Sequence, residues 1–178
     1  MPTRTVFIPG ISIDLVLLEE ADASVTHHWF NDRSITRFLA RGAYPMTATA
    51  CTAYYKAAAD AKDRVVLGIW HKVDDTLIGT VGLHDIDALN QTAELGIAIG
   101  NPTHQGNGIG TEVIEALCDH AFSVLNLRSV TLRVLGNNPR AEQCYVKCGF
   151  TETGRFSAHI FKDGAWVDEI HMIRRRDG

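Results

Sequence analysis

The stretch that decides the fold is Gln105-Gly106-Asn107-Gly108-Ile109-Gly110-Thr111, which joins a predicted strand to a predicted amphipathic helix. Three glycines at alternate positions let the backbone turn sharply and aim several N–H groups toward one point. The following helix adds its unpaired N-terminal donors and the positive end of its dipole. Such a turn suits a pyrophosphate. The alternative from spacing alone is a tight strand-to-helix turn without a ligand.

The glycine spacing separates this loop from two common nucleotide-binding motifs. Thr111 stands where the third glycine of G-x-G-x-x-G would fall, and no Gly-Lys-Ser/Thr follows to complete a P-loop. The chain also lacks the repeated βαβαβ pattern of a dinucleotide-binding domain. Nicotinamide and ATP are therefore the weaker candidates for a phosphate ligand.

Hydrophobic periodicity outside the loop predicts an α+β fold. Alternation of apolar residues predicts seven strands, over residues 11–17, 64–71, 76–84, 92–99, 130–134, 151–160 and 166–173. Helical spacing predicts four helices, over residues 21–31, 46–62 and 113–125 and from Pro139 to a C-cap at Gly149. Asp163-Gly164 predicts a hairpin turn between the last two strands. Because no linker or repeat divides the chain, we expect one domain over residues 1–178.

The strand before the glycine loop has one face made of small side chains. That face carries Glu94, Gly96 and Ala98, while aliphatic residues occupy the other. Glycine inside a strand often marks the close approach of another backbone or a ligand. A long, thin ligand with a pyrophosphate end would fit here, but a bulge or close helix packing would explain the same residues.

Composition and charge narrow the function classes. Of 178 residues, 46% are hydrophobic and 21% charged, and the net charge is −4, which argues against non-specific nucleic-acid binding. No apolar run approaches a membrane span, so we expect a cytoplasmic protein without membrane or nucleic-acid partners. The four cysteines form no Cys-x-x-Cys pair and are interpreted as buried free thiols rather than metal ligands. Exposed strand edges make a homodimer a reasonable expectation.

Two motifs in this order resemble those of the GNAT acetyltransferase superfamily. Gln105-x-x-Gly108-x-Gly110 matches its Q/R-x-x-G-x-G/A pyrophosphate motif. The stretch from Asn138-Pro139-Arg140-Ala141 to Tyr145-x-Lys147-x-Gly149-Phe150 is similar to its second signature, N-x-x-A-x-x-x-Y-x-K-x-G-F. Trp29-Phe30-Asn31-Asp32 and residues 162–168 look like the branch that contains ribosomal-protein and spermidine N-acetyltransferases.

The resemblance implies a mixed, mostly antiparallel twisted sheet of about seven strands, splayed into a V and flanked by helices. It implies acetyl transfer from acetyl-CoA to a primary amine (a peptide N-terminus, a polyamine or an amino sugar), without a metal. The pyrophosphate would lie on residues 105–111, and the rest of the cofactor against Ile97, Ala98, Ile99, Asn138 and Tyr145. Alternatives are another acyl-CoA or an inactive CoA-binding sensor.

Two residues are candidates for proton transfer. An alkylammonium is neutral in only about one molecule per 10³ at pH 7, so a base must help to remove its proton. Glu94 is the first candidate, acting directly or through water, although it would also suit a carboxylate that only holds the ammonium. His84 is the second candidate. Tyr145 resembles the family tyrosine whose hydroxyl reaches the departing sulfur; the alternative is a tyrosine that only packs in the core.

The acceptor pocket is expected between the first helices and the closing hairpin, because these elements flank the sheet opening in the family. Candidate substrate-binding residues are His28, Trp29, Asn31, Arg37, Phe38, His84, Phe156, His159 and Trp166. Aromatic side chains can stack on a cationic amine, and the acidic balance of the chain favours a cationic substrate.

Overall fold

The strands form where apolar side chains alternate. The computed structural model describes residues 4–176, and within them one sheet contains eight strands. They are β1 (Val6–Pro9), β2 (Ile13–Leu17), β3 (Val65–His71), β4 (Thr76–Asp87), β5 (Thr92–Ile99), β6 (Ser129–Leu135), β7 (Thr151–Lys162) and β8 (Ala165–Arg175). Seven correspond to predicted strands. The eighth, β1, is a mostly exposed four-residue edge strand, too short for alternation to reveal it.

The strand order is β1-β2-β3-β4-β5-β6-β8-β7. The β5–β6 pair is parallel and the other neighbouring pairs are antiparallel, as expected for a mixed, mostly antiparallel sheet. Strands β3, β4 and β5 follow one another in the chain and pair as an antiparallel meander. Asp163 (φ +50°) and Gly164 (φ +86°) close the β7–β8 hairpin in the left-handed conformation that a two-residue turn requires.

Five α-helices flank the sheet in the described residues: α1 (Ala23–Asn31), α2 (Arg33–Thr36), α3 (Ala48–Asp60), α4 (Ile109–Ser123) and α5 (Pro139–Lys147). The Thr47 hydroxyl caps α3 by accepting a hydrogen bond from the Ala50 N–H at 3.1 Å. The one-turn helix α2 was not predicted, because four residues cannot show a helical period. None of the helices in residues 4–176 is long and apolar enough to span a membrane.

Helix α4 buries its apolar stripe against the sheet, as its spacing predicts. The buried residues are Ile109, Val113, Ile114, Leu117, Cys118 and Ala121. On its outer side, the Glu112 carboxylate accepts hydrogen bonds from the N–H groups of Ile11 (2.7 Å) and Ser12 (2.9 Å). Burial opposes ionisation of Glu112, but hydrogen bonds from the Ser12 hydroxyl and these backbone donors outweigh it and lower the pKa. Glu112 therefore holds the β1–β2 turn against α4.

The sheet opens between β5 and β6. In the described chain their pairing ends at Glu94 and Thr131. Beyond these residues β5 still pairs with β4 up to Ile99, and β6 still pairs with β8 up to Leu135. The two halves of the sheet therefore diverge, which confirms the predicted V and leaves one edge of β5 free for another molecule.

Candidate active site

The glycine loop follows β5 and leads directly into α4. Gly106 (φ +88°) and Gly108 (φ +83°) both adopt the left-handed conformation, which strains residues with a Cβ. A Cβ placed on Gly108 would meet no atom within 4 Å, so the loop faces open space there. The Gln105 side chain fixes the start of the loop by donating a hydrogen bond to the Ile99 carbonyl at 3.0 Å. The loop and the start of α4 thus form an anion cradle.

A cavity of about 970 Å³ runs from this loop into the opening of the sheet. Its walls come from the free edge of β5, the ends of β4 and β6, helix α5, and the segment from α1 to α3. The predicted cofactor residues among its lining are Ile97, Ala98, Ile99, Gln105, Gly106, Gly108, Gly110, Thr111, Asn138 and Tyr145. Two further predicted residues are absent from the lining: Ile109 is buried in the core, and the Asn107 amide donates to the Thr103 carbonyl at 3.2 Å.

The residues present fit a CoA-type ligand. Arg140 lies beside the anion cradle, with its guanidinium carbon 3.9 Å from a Cβ placed on Gly106, and Lys147 also lines the cavity, so both cations can help to neutralise phosphate groups. The unpaired edge of β5 at Ile97 and Ile99 can donate and accept backbone hydrogen bonds from an extended, amide-containing arm. Asn138 caps α5 by accepting the Ala141 N–H at 3.2 Å. The cavity therefore offers positive charge for the phosphate groups of such a ligand and free backbone hydrogen-bonding groups for its amide-containing arm.

Glu94 lies in the cavity as part of a charged network. Its Oε1 accepts hydrogen bonds from Arg133 Nε (3.1 Å) and from a terminal guanidinium nitrogen of Arg133 (2.8 Å). The same guanidinium lies 3.9 Å from Oε1 of Glu169, a buried residue of β8 that also lines the cavity. Two carboxylates therefore share one arginine, and the second oxygen of Glu94 is left to meet a ligand.

His84 and Glu94 lie directly opposite each other on β4 and β5, so their side chains share a sheet face. Gly82 and Gly96 form the next pair on this face. The imidazole lies over both glycines: a Cβ on Gly82 would be 3.1 Å, and one on Gly96 3.4 Å, from His84 Nε2. The small residues of β5 thus make room both for the cavity and for this imidazole.

The environment of His84 favours its neutral form. Burial lowers the pKa of His84, and the positive charges of Arg41 and Arg64 lower it further. At neutral pH the imidazole is therefore available as a hydrogen-bond or proton acceptor at the cavity wall.

Tyr145 extends from α5 into the same cavity, and its ring packs against Phe150 with the centroids 6.0 Å apart. Tyr145 is only 9% exposed. Burial raises the pKa of its phenol, with a further contribution from Cys144 and Cys148, so the hydroxyl keeps its proton at physiological pH. The residue can thus donate a proton into the cavity, and it also belongs to the core.

Among the cysteines, Cys51, Cys118 and Cys148 are buried free thiols, as predicted. Cys144 differs because it is half-buried and lines the cavity, with its sulfur 3.4 Å from the Thr111 hydroxyl. A hydrogen bond from Cys148 lowers the pKa of Cys144. The exposure of Cys144 to the cavity could not be predicted, because the opening of the sheet beside α5 leaves no signal in the local sequence.

The structure brings only two of the predicted substrate-binding residues, Phe38 and His84, to the cavity wall. The other candidates have different neighbours. Trp29 packs on Gly100, Asn31 bonds the backbone of Met46, and His28 lies against His27. Three of the remaining four lie on the β7–β8 hairpin, where Phe156 contacts His171, Trp166 contacts Phe161, and His159 lies near Glu169. The fourth, Arg37, follows α2 and packs over the Phe38 ring.

Several cavity residues were not predicted: Phe30, Tyr54, Arg133, Arg140 and Glu169. Two of them lie on β6 and β8, whose pairing across the sheet leaves no mark in local sequence. The tyrosine and phenylalanine lie on helices whose packing against the sheet opening is likewise non-local.

The splayed sheet, the glycine loop and the long cavity are the features that the resemblance to acetyl-CoA-dependent transferases implies. The family model described as "Acetyltransferase (GNAT) domain" matches residues 13–151. The chain belongs to the GNAT acetyltransferase family, and it is an acetyl-CoA-dependent N-acetyltransferase.

Two relatives of known name match nearly the whole chain, and a third matches just over half of it. The spermidine N(1)-acetyltransferase of Vibrio cholerae is 31% identical over 160 residues, which are 90% of this chain and 91% of that protein. The enzyme of the same name from Escherichia coli K12 is 29% identical, over 90% of this chain and 84% of its own. The ribosomal-protein-serine acetyltransferase of E. coli K12 is 30% identical over 57% of this chain and 56% of its own.

A solved structure shares the fold. The spermidine N-acetyltransferase of V. cholerae, in complex with CoA and spermine, superposes with a TM-score of 0.85 at 28% identity. The alignment covers 92% of this chain and 95% of that one. These findings confirm the predicted superfamily and the branch to which the sequence motifs pointed.

Proposed function

We propose that this N-acetyltransferase acetylates a primary amine of a polyamine. The observation that carries the proposal is the pair of carboxylates, Glu94 and Glu169, that line the cavity. The proposal is also supported by the similarity of this chain, over 90% of its length, to two spermidine N(1)-acetyltransferases. A polyamine carries several ammonium groups separated by apolar segments. Carboxylates can bind the ammonium groups, while Phe30, Phe38 and Tyr54 offer aromatic surface for the segments between them.

The cofactor is assigned to the part of the cavity beside the glycine loop, away from the carboxylates proposed to bind the polyamine. The backbone of the glycine loop and the start of α4 would hold the pyrophosphate, with Arg140 and Lys147 close by. Ile97, Ala98 and Ile99 would pair with the pantetheine arm, and Asn138 would contact it. When bound, acetyl-CoA supplies an activated acetyl thioester. This arrangement directs the reacting end of the cofactor toward the sheet opening, where Glu94, His84 and Tyr145 lie.

The chain itself then moves two protons. Glu94 accepts the proton of the substrate ammonium, directly or through water, on the carboxylate oxygen that Arg133 leaves unbonded. Arg133 acts as a positioning residue, since both of its hydrogen bonds hold the other oxygen. The buried, protonated phenol of Tyr145 would donate its proton to the departing thiolate and regain one from the nitrogen of the attacking amine, which loses its second proton as the amide forms.

Thermal unfolding with cofactor tests the first half of the assignment. We expect acetyl-CoA at about 100 times its dissociation constant to add about 2.7 kcal/mol to the free energy of unfolding. For a chain of this size that raises Tm by about 5–10 °C. NADH and ATP are the controls and are expected to leave Tm nearly unchanged. If saturating acetyl-CoA gives no shift, the glycine loop is not a cofactor site.

Steady-state acetylation of a panel of amines tests the acceptor. We expect the kcat/KM for spermidine or spermine to exceed that for an amino sugar or a ribosomal-type N-terminal peptide by at least about tenfold, equivalent to 1.4 kcal/mol of differential binding. A higher kcat/KM for the peptide would refute the polyamine proposal and leave acetyl transfer intact. The two halves of the proposed function can therefore fail separately.

Substitution of Gly108 tests the anion cradle. We expect Gly108→Ala to weaken acetyl-CoA binding about fivefold, because a Cβ at φ +83° costs about 1 kcal/mol and relaxation of the loop would move its N–H groups. The matched control is Gly110→Ala. Its Cβ would make an ordinary contact with Cys144 Sγ at 3.6 Å, and the family motif accepts alanine there. Equal acetyl-CoA affinities for the two variants, measured by titration calorimetry, would contradict the cradle.

A further inference from the structure

A second cluster of ligating side chains lies outside the cavity, at the turn between β3 and β4. His71 is the last residue of β3, Asp74 lies in the turn, and His104 ends the short 3-10 helix Pro102–His104 just before Gln105. Asp74 Oδ2 is 2.6 Å from His104 Nε2 and 3.2 Å from His71 Nδ1. All three ligating atoms lie within 4.8 Å of one another. Three segments of the chain thus bring two imidazoles and a carboxylate to one point.

Hydrogen bonds around His104 decide which of its ring nitrogens is free. The Asn101 side-chain oxygen accepts both the Thr103 N–H (3.1 Å) and the Thr103 hydroxyl (2.8 Å). The Thr103 hydroxyl has given its one hydrogen to Asn101, so it can only accept from His104 Nδ1 at 3.1 Å. In the neutral ring, Nε2 therefore carries the lone pair, and it faces the Asp74 carboxylate.

His71 is oriented in the same way. Its Nδ1 accepts the Asp74 N–H at 3.3 Å, so in the neutral ring this nitrogen is unprotonated, and a metal ion would take its lone pair in place of that long hydrogen bond. The lone pair of His104 Nε2 and the Asp74 carboxylate oxygen face each other at 2.6 Å, an arrangement that needs a positive charge between them. A proton on His104 is one source of that charge, and a metal ion is the other.

We propose that His71, Asp74 and His104 bind one divalent transition-metal ion of the Zn²⁺ class. Two imidazoles with one carboxylate suit such an ion, whereas Mg²⁺ and Ca²⁺ prefer oxygen ligands alone. Ligands at about 2.0–2.1 Å from a tetrahedral ion lie about 3.3 Å apart, which is close to the His71–Asp74 separation. A small rotation of the Asp74 carboxylate, which is 48% exposed, would lengthen its 2.6 Å contact with His104 Nε2 toward the same distance, and the two ring nitrogens already lie within 4.8 Å of each other.

The site is separate from the catalytic cavity but adjoins its glycine loop. His104 is only 8% exposed, and the exposed Asp74 provides the path by which an ion would enter. The next residue, Gln105, lines the cavity and bonds the Ile99 carbonyl. A bound ion would therefore tie the β3–β4 turn to the start of the loop and stabilise the fold there without taking part in acetyl transfer.

Metal binding by the tag-free protein tests the proposal. After removal of metal with EDTA, the chain is dialysed against ZnCl₂, with MgCl₂ in parallel, and the metal content per chain and the Tm are measured. We expect one Zn²⁺ per chain, no retained Mg²⁺ and a Tm that rises with Zn²⁺. Thr103→Val should weaken Zn²⁺ binding by about tenfold, the usual effect of losing a hydrogen bond that orients a ligating histidine.

The decisive variants each remove one ligand, and their Tm in EDTA reports whether the fold survives the loss of that ligand's own contacts. Asp74→Asn keeps the size of the side chain, and an unchanged Tm in EDTA will show that this variant folds. We expect both Asp74→Asn and His71→Ala to lose the zinc-dependent rise in Tm. Two control variants change possible zinc ligands that lie outside the cluster. His120→Gln removes a histidine on α4, and Cys144→Ser removes the half-buried thiol on α5; both variants should still bind one Zn²⁺. Failure of the wild type to bind Zn²⁺ stoichiometrically, or binding that Asp74→Asn and His71→Ala leave unchanged, would overturn the proposal.

Discussion

Glu94→Gln is expected to lower kcat for polyamine acetylation by about 100-fold, the lower part of the range for loss of a general base. Glutamine keeps the size of the side chain and has an oxygen that can accept the two hydrogen bonds that Arg133 donates to Glu94 Oε1. The geometry around Arg133 is therefore retained. What is lost is a group able to accept the ammonium proton. The measurement is kcat and KM for spermidine across pH, with Tm as the check on folding.

The division between kcat and KM separates the two roles that Glu94 can have. A carboxylate that only holds the ammonium would, on substitution, raise KM and leave kcat nearly unchanged. A base would, on substitution, lower kcat and remove the fall in activity at acid pH. An unchanged acidic limb in Glu94→Gln would therefore eliminate Glu94 as the base.

His84→Gln is the matched variant, because His84 faces Glu94 across the β4–β5 pair. Burial and the charges of Arg41 and Arg64 lower the pKa of His84, so its imidazole is neutral at pH 7 and gains a proton only below its ordinary value of about 6.5. Activity that depends on His84 would thus be constant near neutrality and lost as the pH falls below that value. If this limb survives in Glu94→Gln and disappears in His84→Gln, the base is His84.

Tyr145→Phe is expected to lower kcat by about tenfold or more, a factor near the lower limit for loss of a general acid. The KM for acetyl-CoA should stay close to that of the wild type. Phenylalanine keeps the ring that packs against Phe150 and removes only the hydroxyl. Because burial raises the pKa of Tyr145, the phenol stays protonated, and the variant should lose activity by a similar factor across the physiological pH range.

The readouts for Tyr145 distinguish chemistry from packing. A group that donates to the departing thiolate affects kcat and leaves the acetyl-CoA-dependent rise in Tm intact. A tyrosine that serves only the core would lower Tm and leave kcat of the folded enzyme unchanged. The second pattern would assign Tyr145 to the core alone.

Much of the fold could be predicted because the relevant signals are local. The stripe of α4 follows the 3.6-residue period, Thr47 caps α3 through a residue three positions away, and Asp163-Gly164 closes its hairpin through two backbone conformations. The glycine loop belongs to the same group, since its shape depends on the left-handed conformations of Gly106 and Gly108. Each of these features is decided by residues close together in the chain.

The active-site network could not be predicted, because sheet pairing decides it. Arg133 reaches Glu94 across 39 residues, and Glu169 joins them from β8. His84 lies over two glycines only because β4 and β5 pair in a register that puts Gly82 opposite Gly96. Expected acceptor residues such as Trp166 and Phe156 likewise lie on the hairpin, outside the cavity lining.

The sequence by itself determined most of the helices and strands and the shape of the glycine loop, because these depend on periodicity and on backbone conformations that neighbouring residues control. Its two motifs also carried the family resemblance that implied acetyl-CoA chemistry. Only the tertiary structure decided where β5 and β6 separate, which charges meet in the opening, and that His71, Asp74 and His104 converge beside the loop. Those features arise from contacts between residues distant in the chain, and no local pattern specifies the distance between two side chains that meet only after folding.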